Sequence, residues 1–132
     1  MFGGSTEIEM LCWSTALGIL QLVLAAGMAA LDQGLPYNFS PRDAPAPPLG
    51  KVGGRLARAF RNFLETFPLF AAAVFAVTVL NKEDVASGLG AQIYFWARLV
   101  YVPLYAAGIP LARTLVWAIS LVGLIMVLTA AA

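Results

Sequence analysis

The chain is predicted to be an all-α integral membrane protein, a four-helix bundle, on three observations. Its 132 residues are 61% hydrophobic and only 11% charged, and its mean hydropathy is +0.83. A soluble domain this small has too little interior to hide that much apolar surface. Four apolar segments each reach the roughly 20 residues that a spanning helix requires. Backbone amides in lipid must be hydrogen-bonded within the chain, which favours helices over open strands.

Taken in order, the first span covers about residues 8–31 and closes at Asp32-Gln33-Gly34. The second covers 53–80 and stops before Asn81-Lys82-Glu83-Asp84. The third covers 87–107, and Gly108-Ile109-Pro110 turns tightly into a fourth over 111–130. Short connections favour antiparallel neighbours, hence an up-down arrangement in one domain spanning residues 1–132. Met1 to Glu9 carries two glutamates and no Lys or Arg. That is the reverse of a signal peptide's basic start, so the first segment reads as a retained span. The loop from Asp32 to Gly53 holds Pro36, Pro41, Pro45, Pro47 and Pro48. It reads as extended and irregular, either a spacer or a cover for a site mouth.

Composition also excludes function classes. A net charge of +1 leaves no basic surface suited to nucleic acid. The absence of histidine removes His-based acid/base catalysis and His-containing metal sites. Cys12 is the single cysteine, so there is no intrachain disulfide and no Cys-cluster metal site, and within an apolar helix it reads as a small hydrophobe.

Arg42, Lys51, Arg55, Arg58 and Arg61 gather on the side shared by the first loop and the 3–4 turn, where Arg113 also lies. The opposite side carries Lys82 beside Glu83 and Asp84, and the acidic N-terminus. By the positive-inside rule, both termini face away from the cytoplasm and the cationic cluster lies at the cytoplasmic boundary. In a bacterial cell this describes the inner membrane.

The most informative stretch opens the second span. Arg58, Asn62 and Glu65 stand at i, i+4 and i+7 and share one helical face. The apolar remainder, Phe67 to Leu80, covers only about 21 Å at 1.5 Å per residue. A bilayer core is about 30 Å thick, so these polar residues lie at its boundary or slightly inside it. Polar groups there are costly unless they face an interior and find partners. Pro68 follows, leaving the Leu64 carbonyl without its intrahelical donor and bending the helix. The third span adds Arg98, Tyr101 and Tyr105 on one face, and Arg113 opens the fourth.

Each element has a plainer reading. Arg61 and Glu65 are an i, i+4 pair worth about 0.2–0.5 kcal/mol. Tyr101 and Tyr105 fit an interfacial belt, and Arg113 could snorkel to headgroups. The trio Arg58, Asn62 and Glu65 resists this treatment, because three adjacent polar groups need a common partner. Arginine forks grip carboxylates, Glu65 accepts from an ammonium, and Asn62 serves either polarity. The matching ligand is a small zwitterionic peptide, with a hydrophobic cosubstrate arriving from lipid.

The second-span pattern Arg58-Ala-x-x-Asn62-x-x-Glu65-x-Phe-Pro68-Leu-Phe and the third-span pattern Ala97-Arg98-x-x-Tyr101-x-x-x-Tyr105 resemble the signatures of the MAPEG family, the membrane-associated proteins in eicosanoid and glutathione metabolism. The Arg42-Asp43 pair and the segment from Gly108 to Trp117 are similar to its short bacterial members. The resemblance implies a homotrimer of four-helix bundles with glutathione held between neighbouring subunits. It implies that Arg58, Asn62 and Glu65 hold the peptide's charges, that Arg98, Tyr101 and Tyr105 complete the cradle, and that Arg113 stabilises the thiolate. Thr66 departs from it, standing where several members carry tyrosine.

The leading expectation is a glutathione transferase or glutathione-dependent peroxidase acting on lipophilic electrophiles, with no metal. A non-enzymatic lipid-binding scaffold of the same family is the alternative, and a small four-helix exporter comes third. An exporter needs an isolated carboxylate, whereas Glu65 is accompanied by arginines. Ser120 and Gly123 in the fourth span are small enough to let helices of neighbouring subunits approach.

Overall fold

The computed structural model describes residues 5–41 and 43–132. Arg42, counted above in the cationic cluster and in the Arg42-Asp43 pair, lies outside the described residues. Among those described there is no strand. The elements are α1 (Thr6–Gln33), the one-turn α2 (Leu35–Asn38), α3 (Lys51–Val79), α4 (Val85–Ala106) and α5 (Pro110–Ala131).

Helix ends follow local chemistry. Ser5 caps α1 by accepting from the Ile8 amide at 3.3 Å, and Glu7 and Glu9 in the first turn suit its positive end. Asp84 and Ser87 cap α4 reciprocally, each side chain accepting from the other's backbone amide at 2.8 Å. Pro110 starts α5 at a position where no amide is needed. The start of α3 has no capping side chain of its own; Asp32 at the end of α1 instead accepts from the Gly50 amide at 3.0 Å.

The proline-rich loop departs from expectation at its beginning. Leu35–Asn38 forms a helical turn with Pro36 in its first positions, where proline's fixed φ is tolerated. Beyond it the chain is irregular. Gln33 donates to the Pro47 carbonyl at 3.0 Å, so the loop is tied back onto the end of α1. α3 continues unbroken through Pro68 and α4 through Pro103.

Three helices, α1, α3 and α5, are long and apolar enough to cross a membrane. The sequence reading drew four such segments. α4 is as long as α5 but is diluted by Gln92, Arg98 and three tyrosines. Those side chains are largely inward: Tyr94, Arg98 and Tyr101 are buried. Large apolar side chains elsewhere, such as Ile19, Val23, Phe75 and Ile125, face outward, as lipid contact demands. The chain is an integral membrane protein.

Packing is tightest between α4 and α5. A Cβ built on Gly90 would lie 2.6 Å from the Gly123 carbonyl, and one on Gly123 would lie 2.5 Å from the Gly90 carbonyl. The two backbones therefore touch where neither residue has a side chain. Ser120 is fully buried, donating to the Trp117 carbonyl at 2.6 Å. The small residues read from sequence as a surface for a neighbouring subunit are thus used within the chain. Beside them, Phe70, Val74, Val77, Tyr94, Leu124 and Val127 form the main apolar core, with the Phe70 and Tyr94 rings stacked 4.0 Å apart.

Candidate functional site

The Ser87 hydroxyl, donating to Glu7 at 2.7 Å, ties the start of α4 to α1, and the 66–94 contact sets its register against α3. Thr66 and Tyr94 share a hydrogen bond of 3.0 Å between their hydroxyls inside the core. Counting from that pair along antiparallel helices, Asn62 comes level with Arg98, and Arg58 lies near Tyr101 and Tyr105. The register brings the polar faces of α3 and α4 together at one end of the molecule. Arg55 closes the third side: it donates to the Ala106 carbonyl at 3.3 Å. Its guanidinium lies where a side chain on Gly108 would be. Gly108 has φ +75°, a conformation glycine adopts without strain. The turn that launches α5 is thereby held against α3.

The result is a cavity of about 400 Å³ lined by Arg58, Arg61, Asn62, Glu65, Tyr101, Tyr105, Arg113, Thr114 and Trp117. The Arg113 guanidinium carbon lies 4.5 Å from the Tyr105 ring centroid and that of Arg58 lies 5.9 Å from it, so one phenol separates two cations. The Tyr101 and Tyr105 rings meet edge-on with centroids 5.6 Å apart. Among the described residues, none of the three arginines in the wall is ion-paired with Glu65. The Asn62 Oδ1 is buried without a hydrogen-bond partner.

Six of the seven residues singled out from sequence share this wall: Arg58, Asn62, Glu65, Tyr101, Tyr105 and Arg113. Arg98 does not. It is 1% exposed and stacks behind Tyr101, its guanidinium carbon 4.3 Å from that ring's centroid and 5.8 Å from that of Phe63. All three guanidinium nitrogens are buried without a hydrogen bond. Arg61, read from sequence as helix support, is in the wall instead. Thr66 is not part of the cavity wall; its hydroxyl is bonded to Tyr94 in the core.

Sequence reasoning missed Thr114 and Trp117. Arg113 and Trp117 are one helical turn apart on α5, and that i, i+4 spacing was the available signal. It also missed the inward stripe of α1, where Glu7, Ser14 and Gln21 repeat every seven residues and are all buried. Both amide atoms of Gln21 and the hydroxyl of Ser14 lack partners. Among the described residues, no group of three or more Cys, Asp or Glu is placed to hold a metal ion.

No curated protein is similar enough to the chain to match. The family model that does match is that of the MAPEG family, over residues 10–132. That segment contains α3, α4, α5 and every residue of the cavity wall, and the chain belongs to the MAPEG family.

Proposed function

We propose that the protein is a membrane-bound glutathione-dependent transferase or peroxidase, with the cavity between α3, α4 and α5 as its peptide site. MAPEG proteins use glutathione, although the family also has non-enzymatic members. One observation carries the reading. A single wall presents three guanidinium groups, one carboxylate, one amide and two phenols, with no internal ion pairing. Glutathione carries two carboxylates and one ammonium, the complement of that set. Its volume class fits as well, since ligand pockets run from about 300 to 1,000 Å³.

In this reading Arg58, Arg61 and Asn62 receive the carboxylates and Glu65 receives the ammonium, each by charge-assisted hydrogen bonds. A cysteine thiol has a pKa near 8.5 and is mostly protonated at neutral pH. Arg113 stabilises the anionic sulfur, as an opposite charge within about 4–6 Å does, and Tyr105 holds Arg113 in place through its ring. The thiol proton leaves to solvent. The sulfur then forms a carbon–sulfur bond as a leaving group such as halide departs with the bonding pair, or it attacks a peroxide oxygen. That attack breaks the O–O bond to give the sulfenic acid of glutathione and an alkoxide that takes a proton from solvent. A second glutathione converts the sulfenic acid to the disulfide and water. Arg98 contributes from behind, as the backing of Tyr101.

Arg58, Arg61, Glu65 and Thr114 are exposed in the single chain, so the outer side of the cavity is open. A neighbouring copy closing it fits the family's trimer of four-span bundles, with α4 as the fourth span sheltered by its neighbours. The cationic end lies at the cytoplasmic face of the inner membrane. Calorimetry in detergent should show saturable heat with glutathione, and its absence would favour a lipid-binding scaffold. A screen of thiol consumption against halogenated aromatics and lipid hydroperoxides identifies the acceptor class.

A further inference from the structure

A second cavity lies on the far side of the ridge formed by Arg58 and Arg61. Its volume is about 470 Å³, and Lys51, Arg58 and Arg61 line it with Leu49, Gly54 and Ala57 between them. Three cations and no carboxylate make the wall. Among the described residues, Lys51 and Arg61 have no ion-pair partner. Asp32, whose carboxylate lies against the start of α3, is engaged with the Gly50 amide at 3.0 Å. A Cβ on Gly54 would lie 3.3 Å from an Arg58 guanidinium nitrogen. Its absence lets that group lie back against the helix and keeps the floor open.

Position says what this charge meets. Arg61 precedes the apolar stretch that begins at Phe67, and Lys51 lies ten residues, about 15 Å, further along the axis. Beyond the hydrocarbon boundary the polar layer is about 5–8 Å deep on each side, so Arg61 and Arg58 fall at the headgroup level, while Lys51 is rooted on its water side with its side chain lining the same cavity. Leu49 lies in the wall, and Val52 beside it is 46% exposed, an apolar flank that a soluble anion would not need.

We propose that this cavity binds the phosphate of an anionic phospholipid. The arginine forks match phosphate oxygens, Lys51 adds a point charge, and Leu49 and Val52 lie along the glycerol–acyl junction. The proposal rests on the membrane location; Arg58 and Arg61 line both cavities, so Lys51, which lines this one and not the first, is the residue that tests it separately from the peptide reading.

The test compares retention of phosphatidylglycerol and phosphatidylcholine by native mass spectrometry and by fluorescence quenching in mixed bilayers. The wild-type chain and Lys51→Arg retain the anionic lipid preferentially. Lys51→Ala retains it about fivefold less well, as one cation near a charged surface dictates, and Lys51→Glu less still. Glutamate is favourable at a helix's first position and Lys51 is exposed, so these variants keep the fold, which circular dichroism checks. Equal retention of the two lipids, or a Lys51→Glu chain indistinguishable from wild type, overturns the proposal. Displacement of the lipid by sn-glycerol 3-phosphate at comparable concentration would reassign the cavity to a soluble anion. Glutathione binding by Lys51→Ala is expected to be unchanged; a parallel loss would make the second cavity part of the first.

Discussion

The two ends of the helix assembly differ in how their buried charged side chains are met. At the end near the N-terminus, Glu7 is 3% exposed yet accepts from the Ser87 hydroxyl at 2.7 Å, and Ser87 is locked in turn by the Asp84 cap. Glu7, Ser87 and Asp84 thus satisfy one another there, while the nearby Thr78 hydroxyl is buried without a hydrogen-bond partner among the described residues. At the other, among the described residues, the Arg98 guanidinium and the Asn62 side-chain carbonyl are buried without a hydrogen-bond partner, beside three arginines of an open wall that make no ion pair. Burying a charge or an amide without a partner costs several kcal/mol by general estimates. The contrast is between a capped, carboxylate-bearing end and an end where an arginine and an amide lie buried beside an open cationic wall.

Several substitutions would break or sharpen this contrast. The largest effect is expected for Arg113→Ala, which should lower glutathione-dependent turnover by about 10²–10³-fold, the usual loss on removing one preorganised stabiliser of an anion. Calorimetric affinity for glutathione should change far less; full conjugating activity in the purified variant would remove Arg113 from its role. Arg98→Met follows. Replacing an unpaired buried charge with an apolar side chain is expected to stabilise the ligand-free protein by about 1–4 kcal/mol, read as a higher melting temperature in detergent. The same change should weaken glutathione binding by freeing Tyr101. A variant less stable than wild type would show that Arg98 already has a partner.

At the Glu7 end, Ser87→Ala removes the donor to a buried carboxylate and should cost about 1–3 kcal/mol, leaving glutathione affinity untouched. Gly90→Ala tests the helix contact between the two ends, since a Cβ 2.6 Å from a carbonyl oxygen forces the backbones apart for about 1–3 kcal/mol. Thr66→Val leaves the Tyr94 hydroxyl alone in the core and should cost about 1 kcal/mol. It spares activity, because Thr66 is not part of the cavity wall.

Much of the cavity could be read before folding because it follows helical spacing. Arg58, Asn62 and Glu65 share a face by arithmetic, as do Tyr101 and Tyr105, and apolar length placed the helices around them. Arg98 shares that face too, yet spacing alone says nothing of whether a long side chain reaches forward into a cavity or folds back beneath a neighbouring ring. The α1 stripe of Glu7, Ser14 and Gln21 escaped notice because a scan for apolar length averages over single polar positions. Ser120 and Gly123 were correctly seen as a close-approach surface and given the wrong partner; small residues say that a backbone comes near, not whose backbone it is. Family resemblance, rather than spacing, supplied the peptide's identity and Arg113's role.

Arg55 was counted only as one more positive charge, yet its grip on the Ala106 carbonyl across Gly108 has a mechanical meaning. It rivets the start of the last helix to the cationic arm of α3, so Arg113 and Arg58 ride on a single stiff frame. The gap between those two cations is then set inside one chain. A second copy that covered the opening would have no need to gauge its width.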